Sequence, residues 1–200
     1  GRQAGEPEGW LLDKAMKRIP LLGVKLGENQ LLLKCRYYHW MELEDCFLAG
    51  DFGVDHRNNS LTAEPETLRY GDWCLQGYPF YPGSMLYQTA YEYQQGQRAF
   101  LAVEADAITA SVSVNGKTAG KLPWRQASPL ELSKHLRAGE NQIQIELFAS
   151  PRNMFGPLHR RQRQMPWTSA NSFRTAGTEW SDAYVLWPFG LKKAVISTWK

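Results

Sequence analysis

The dipeptide Asn115-Gly116 separates the run Ile108-Thr109-Ala110-Ser111-Val112-Ser113-Val114 from Lys117-Thr118-Ala119-Gly120. Strict apolar/polar alternation puts one strand face in a core and the other in water, and Asn-Gly readily takes the two positive φ angles of a tight hairpin turn. The segment therefore predicts a half-buried β-hairpin. A second alternating run, Gln142-Ile143-Gln144-Ile145-Glu146-Leu147, comes after Gly139-Glu140-Asn141 and predicts another strand of the same kind.

The same reading predicts strands over 85–93, 98–105, 108–114, 142–148 and 183–187, divided by turn signals at Gln94-Gln95-Gly96 and Asn115-Gly116. Ser128-Pro129-Leu130-Glu131 fits a capping box, with proline at the first helical position of a short helical turn over 128–136. Residues 129–132 fit equally a short strand entering a turn capped by Ser133. Many short strands with almost no long helix predict an all-β fold, an antiparallel β-sandwich.

Size sets the domain count. Two hundred residues, 43% hydrophobic and 22% charged, suffice for one domain with a real core plus part of another. No apolar run is long enough to span a bilayer as a helix. A net charge of +3 is too small for wholesale attraction to nucleic acid or an acidic membrane, so neither is an expected partner. Cys35, Cys46 and Cys74 are an odd number without metal-ligand spacing and read as buried thiols rather than a disulfide framework. The sequence opens on Gly1 with no charged-then-apolar leader, which reads as an excised fragment or processed product and leaves the compartment open.

Residues 1–9 are polar and rich in Gly, Glu and Pro, and read as a disordered lead-in. Strand-like segments come next at 31–35 and 43–52. Leu26-Gly27-Glu28-Asn29-Gln30-Leu31 repeats as Ala138-Gly139-Glu140-Asn141-Gln142-Ile143 at an offset of 112 positions, each copy preceding an apolar run of strand length. The expected organisation is therefore residues 1–57 as N-terminal strands, the remnant of a preceding sandwich packed on the main domain, and 58–200 as one β-sandwich. The turn-rich stretch 55–72, headed by Asn58-Asn59-Ser60, is the linker candidate.

Over most of 87–148 the chain resembles the galactose-binding-like jelly-roll domains that accompany family 2 and related glycoside hydrolases. The resemblance lies in Val112-Ser113-Val114-Asn115-Gly116-Lys117-Thr118-Ala119-Gly120, followed by Leu136-Arg137-Ala138-Gly139-Glu140-Asn141-Gln142-Ile143. Gln76-Gly77-Tyr78-Pro79-Phe80-Tyr81 and Trp187-Pro188-Phe189-Gly190-Leu191 are similar to words in multidomain bacterial glycosidases. The resemblance implies a jelly-roll accessory domain that binds carbohydrate or supports a catalytic domain carried elsewhere in the parent chain. It implies no cofactor; a structural calcium ion held by loop carbonyls and carboxylates is compatible with such a fold.

Aromatic residues make up 12% of the chain, an excess that suits both core filling and platforms on which sugar C–H faces stack. The loop after the strand ending at Phe148 gathers Arg152, Asn153 and His159, whose donors suit sugar hydroxyls; a solvated basic loop is the bland alternative. Trp73, Tyr78 and Tyr81, spaced by Gly77 and Pro79, form either a stacking platform or a lid on the sandwich. Trp124, in the loop after the hairpin, is the candidate exposed ring.

Glycosidic hydrolysis needs two carboxylates facing each other across the bond. Glu42, Glu44, Asp45, Asp51, Asp72, Glu104, Glu179 and Asp182 lie in no motif that fixes such a pair, so a catalytic fragment is the alternative reading. His39, His56, His135 and His159 are scattered and predict no zinc site. A third alternative, binding of single-stranded nucleic acid through Arg160, Arg161 and Arg163, conflicts with the small net charge.

Overall fold

A computed structural model describes residues 3–40, 45–123, 128–163, 167–173 and 175–199. Backbone contacts divide the chain into two compact units, Gly1–Leu48 and Ala49–Lys200.

In the first unit Trp10–Leu11 (β1) pairs antiparallel with Asp13–Lys17 (β2) around Leu12, which sits at φ 60°. Pairing continues past the strands: Glu8 N donates to Arg18 O at 2.7 Å and Gly5 N to Pro20 O at 3.0 Å. Gly5, Glu8 and Gly9 of the polar opening segment, expected to be disordered, are thus tied to the residues that follow β2. Residues 31–35, expected as a strand, form none, and Leu31, Leu32 and Leu33 are exposed. An alternating or apolar run becomes a strand only where another strand accepts its hydrogen bonds, and in the described part of this unit β1 and β2 pair with each other and not with 31–35. The described part of 43–52 is likewise irregular, and Glu42 and Glu44 lie outside the described residues.

The second unit begins with a hairpin of Gly53–Asp55 (β3) and Ser60–Thr62 (β4). Asn59, at φ 50°, supplies its turn, and Asp55 accepts from Arg57 N and Asn58 Nδ2. The Val54 amide donates to Gly77 O at 2.8 Å, so this compact unit takes in residues that the sequence reading assigns to the N-terminal stretch.

Two antiparallel sheets form the body of this unit. Ser84–Tyr93 (β5), Arg98–Asp106 (β6), Thr109–Val114 (β7), Lys117–Pro123 (β8), Leu130–Glu131 (β9), Gly139–Phe148 (β10) and Gly190–Trp199 (β11) arrange as β5-β10-β7-β8 and β11-β6-β9. The β7–β8 turn is the expected one, with Asn115 at φ 51° and Gly116 at φ 77°. A bulge at Val112/Ser113 leaves Ala119 as the extra residue on β8. Of the two readings for 128–136, the structure takes the strand: β9 pairs Leu130 with Leu101 and Glu131 with Phe100, and Ser133 Oγ accepts from Ala99 N at 2.9 Å.

Ala110, Val112, Val114, Ile143, Ile145 and Leu147 point from the four-stranded sheet into one core, where they meet Leu101, Leu132 and Leu191. Each fully buried Val, Ile or Leu contributes about 1.5–3 kcal/mol from apolar burial. The alternation in β7 and β10 thus holds a two-layer sandwich together.

Residues 183–187 are not a strand. Their backbone groups are taken by loops: Val185 N donates to Leu158 O at 2.6 Å and Trp187 N to Asn153 Oδ1 at 2.8 Å. The 71–74 stretch is fixed the same way, with Asp72 Oδ1 accepting from both Cys74 N and Phe189 N. Among the described residues no helix is long and apolar enough to cross a membrane.

Candidate functional site

Beyond β10 the chain forms a short helix, Arg152–Phe155 (α1), then two loop segments that run side by side. Arg160 and Trp180 form an antiparallel bridge, flanked by Ser181 N to His159 O at 2.8 Å and Arg161 N to Glu179 O at 3.0 Å. This pairing brings residues twenty apart in sequence onto one surface. A turn closed by Trp180 N to Gly177 O at 3.1 Å and a 3₁₀ turn over Ala170–Phe173 complete the wall. Between them lies an open cleft of ≈ 480 Å³, lined among others by His159, Arg160, Gln162, Trp167, Glu179 and Trp180. That volume is within the range of small-molecule sites.

The rings in this cleft are stacked. His159 lies over Trp180 with centroids 4.6 Å apart and planes 23° apart, and it meets Tyr184 in a tilted contact at 4.8 Å. Tyr184 in turn makes an edge contact with Phe80 at 5.3 Å. The Nδ1 of His159 is 2.9 Å from the Ser181 carbonyl, so Nδ1 carries the proton and donates, which fixes the ring's orientation. Trp180 Nε1 donates to Asp182 Oδ1 at 2.8 Å. Arg160 Nε is buried with no hydrogen-bond partner among the described residues, a costly state for a charge-bearing group. Trp167 is 74% exposed, the barest ring of the cleft.

The cleft offers indole and imidazole faces beside guanidinium, amide, hydroxyl and carboxylate groups, including Asn171 and Ser169. Such a mixture suits a ligand with apolar C–H faces and many hydroxyls. Glu179 is the single carboxylate lining it among the described residues. Among the described residues no three His, Cys, Asp or Glu side chains converge into a metal-holding group.

The residues named from sequence fall in different places. His159 lines the cleft. Asn153 is buried: its Nδ2 donates to Trp187 O at 2.8 Å and to Cys74 Sγ at 3.4 Å while its Oδ1 accepts from Trp187 N, so its amide is a structural clamp held away from the surface. Trp73 is fully buried and stacks on Phe189 at 5.9 Å, which makes it core rather than platform. Arg152 is half-buried with Nη2 at 3.5 Å from Pro157 O, and burial lowers the pKa of its guanidinium.

Tyr78 donates to Glu64 Oε1 at 3.0 Å and makes an edge contact with Tyr81, which itself reaches Ser84 O. Desolvation, and then the Glu64 carboxylate, push the Tyr78 hydroxyl up to about 12. Trp124 lies outside the described residues. Sequence reasoning does not reach Trp167, Glu179 and Trp180 as binding residues, although 177–180 carries the turn signal Gly177-Thr178-Glu179-Trp180 with its own aromatic residue.

No protein-family model and no curated protein matches the chain. Among solved structures it is similar in part to a rhamnosidase from Novosphingobium sp. PP1Y, with 22% identity over 59% of this chain and 11% of that one, TM-score 0.40. It is similar also to an FMN-binding β-glucuronidase from Facaelibacterium prausnitzii L2-6, with 18% identity, 72% and 21% coverage, and TM-score 0.36. A β-D-mannosidase from Dictyoglomus thermophilum gives 18% identity, 64% and 17% coverage, and TM-score 0.40. The chain therefore spans between 11% and 21% of the length of these three proteins.

Proposed function

We propose that this chain is a non-catalytic, carbohydrate-associated module of a larger glycoside hydrolase, and that the cleft above His159 and Trp180 is where it meets glycan. The observation that carries this reading is the stacked His159–Trp180 pair set beside Arg160, Gln162 and Asn171. A sugar ring presents an apolar face to such rings while its hydroxyls exchange hydrogen bonds with the surrounding donors and acceptors. The ordered pair of motifs around Asn115 and Asn141, which resembles galactose-binding-like domains, supports the same class. A lone lining carboxylate among the described residues argues for binding over hydrolysis, which needs a facing pair.

The test is retention of the chain on a panel of immobilised polysaccharides and a glycan array, with competition by free oligosaccharide. Competable retention is expected. Absence of retention on every glycan would leave only the supporting role, docking against a catalytic domain. Release of aryl alcohol from aryl glycosides would overturn the non-catalytic reading, and salt-sensitive binding of single strands would favour the nucleic-acid alternative.

A further inference from the structure

The repeated Gly-Glu-Asn-Gln word is also a repeated structure. Asn141 Oδ1 accepts from Arg137 N at 2.9 Å, and its Nδ2 donates to Arg137 O at 2.7 Å and Gly139 O at 2.8 Å. Asn29 makes the same three bonds at the same offsets: Oδ1 from Lys25 N at 2.9 Å, Nδ2 to Lys25 O at 2.8 Å and to Gly27 O at 2.9 Å. The glycine of each loop is left-handed by the same amount, φ 88° at Gly27 and 87° at Gly139. An asparagine that closes a loop on both edges of one backbone residue fixes the direction in which the chain leaves it.

The two loops lead into different surroundings. Asn141 stands in the first residues of β10, the strand flanked on one side by β5 and on the other by β7, with Ile143, Ile145 and Leu147 buried. After Asn29 the residues at the matching positions are Leu31, Leu33 and Cys35, with Leu32 standing where β10 has Gln144, so the run is apolar at all three matching positions but not strictly alternating. They are exposed, with Leu31 at 58% and Leu33 at 63%, and no strand pairs with them among the described residues. An apolar face this bare marks a surface that another element covers. The 112-residue offset also says where the missing neighbours lie. Applied to Ser84–Tyr93 it leads to positions wholly ahead of Gly1, and applied to Thr109–Val114 it ends at the second residue.

We infer that residues 25–36 are the lead-in loop and central strand of a second β-sandwich, whose two flanking strands are supplied by polypeptide preceding this segment in the parent protein. The strands add by antiparallel backbone pairing to both edges of 30–36, and their inner faces cover Leu31, Leu33 and Cys35. This inference stands apart from the glycan cleft, which involves none of these residues.

The experiment compares amide exchange in the present chain with that in a chain extended upstream in its own coding sequence by about 100 residues, one domain length. Residues 30–36 are expected to exchange on the order of a hundredfold more slowly in the extended chain, because both edges become paired. In the extended chain Asn29→Ala and the pair Leu31→Ser with Leu33→Ser should restore fast exchange locally, while β10 stays protected as an internal control of folding. Equal exchange in the two chains would overturn the inference. So would protection of 30–36 in the present chain that grows with its concentration, since the occupant would then be a second copy. A coding sequence without alternating strand patterns upstream would overturn it as well.

Discussion

Asn115 and Asn141 are joined side chain to side chain, Nδ2 of Asn115 donating to Oδ1 of Asn141 at 2.8 Å. Asn115 also accepts from Gln142 N at 3.0 Å and donates its own backbone N–H to Gln142 O at 2.8 Å. The hairpin turn and the start of β10 are therefore one hydrogen-bonded unit. Asn141, 1% exposed, carries the larger share, because its amide satisfies three backbone groups of its own loop as well.

Asn141→Ala should cost about 2–4 kcal/mol, since it strands several partly buried polar groups at once. Asn115→Ala should cost about 1–2 kcal/mol through the lost bonds and the positive φ. Urea unfolding of both single variants and the double variant measures this. The double variant should be less destabilised than the sum of the singles, because the two share a bond. Strict additivity would mean that the side-chain contact does not couple them.

This pair explains why so much of the sandwich is legible in the sequence. The Asn-Gly turn and the alternation of β7 and β10 are local signals, and the core they predict is the core observed. β11 escapes because a bulge between Leu191 and Lys193 puts Lys192 and Lys193 consecutively on the exposed side, breaking the period of two. Residues 183–187 mislead for the opposite reason: an apolar stretch whose amides are taken by Leu158 and Asn153 has no ladder. The cleft is half visible. His159 stands in a basic loop, but Trp180 joins it through the Arg160 bridge and the hydrogen bonds that flank it, and nothing periodic in sequence announces such a pairing. Asn153 shows the limit from the other side, since a buried clamp and a sugar ligand want the same amide.

Gly190→Ala should be among the most damaging single substitutions. Gly190 sits at φ 149°, and a Cβ there would run into the Gly71 carbonyl, in a stretch where Gly71 N donates to Leu191 O at 2.7 Å. Neither side can yield without breaking the link between 71–74 and β11. The expected loss is about 3 kcal/mol or more, read as a lower urea midpoint. A midpoint unchanged within error would show that this junction relaxes freely.

Stability should fall on the alkaline side because of Cys74. Burial, and next the Asp72 charge, raise its thiol well above the ordinary value of 9.0. The thiol lies 3.4 Å from the Trp187 carbonyl, to which only its protonated form donates. The unfolded chain loses this proton above about pH 9 while the folded chain keeps it, so the contribution is complete below that pH and erodes above it. The slope is about 1.4 kcal/mol per pH unit for one group. Urea unfolding from pH 7 to 10.5 should show the decline, and Cys74→Ala should flatten it while lowering stability at pH 7. In native protein Cys35 and Cys46, both exposed, should alkylate far faster than Cys74.

Trp180→Ala separates binding from scaffolding at the cleft. The ring stacks on His159 and is tied down by Asp182, but it belongs to a loop and contributes nothing to the buried core between the sheets. Its removal should therefore shift the urea midpoint little, by about 1 kcal/mol or less. If the indole is the platform for a sugar ring, glycan affinity should drop about 10- to 100-fold, the scale of losing a central aromatic contact. Asp182→Asn retains an oxygen that can accept from Trp180 Nε1 and should preserve most of the affinity, which ties any loss to the ring's face rather than to its neighbour's charge. Equal affinity for wild type and Trp180→Ala, with both folded, would move glycan binding away from this cleft.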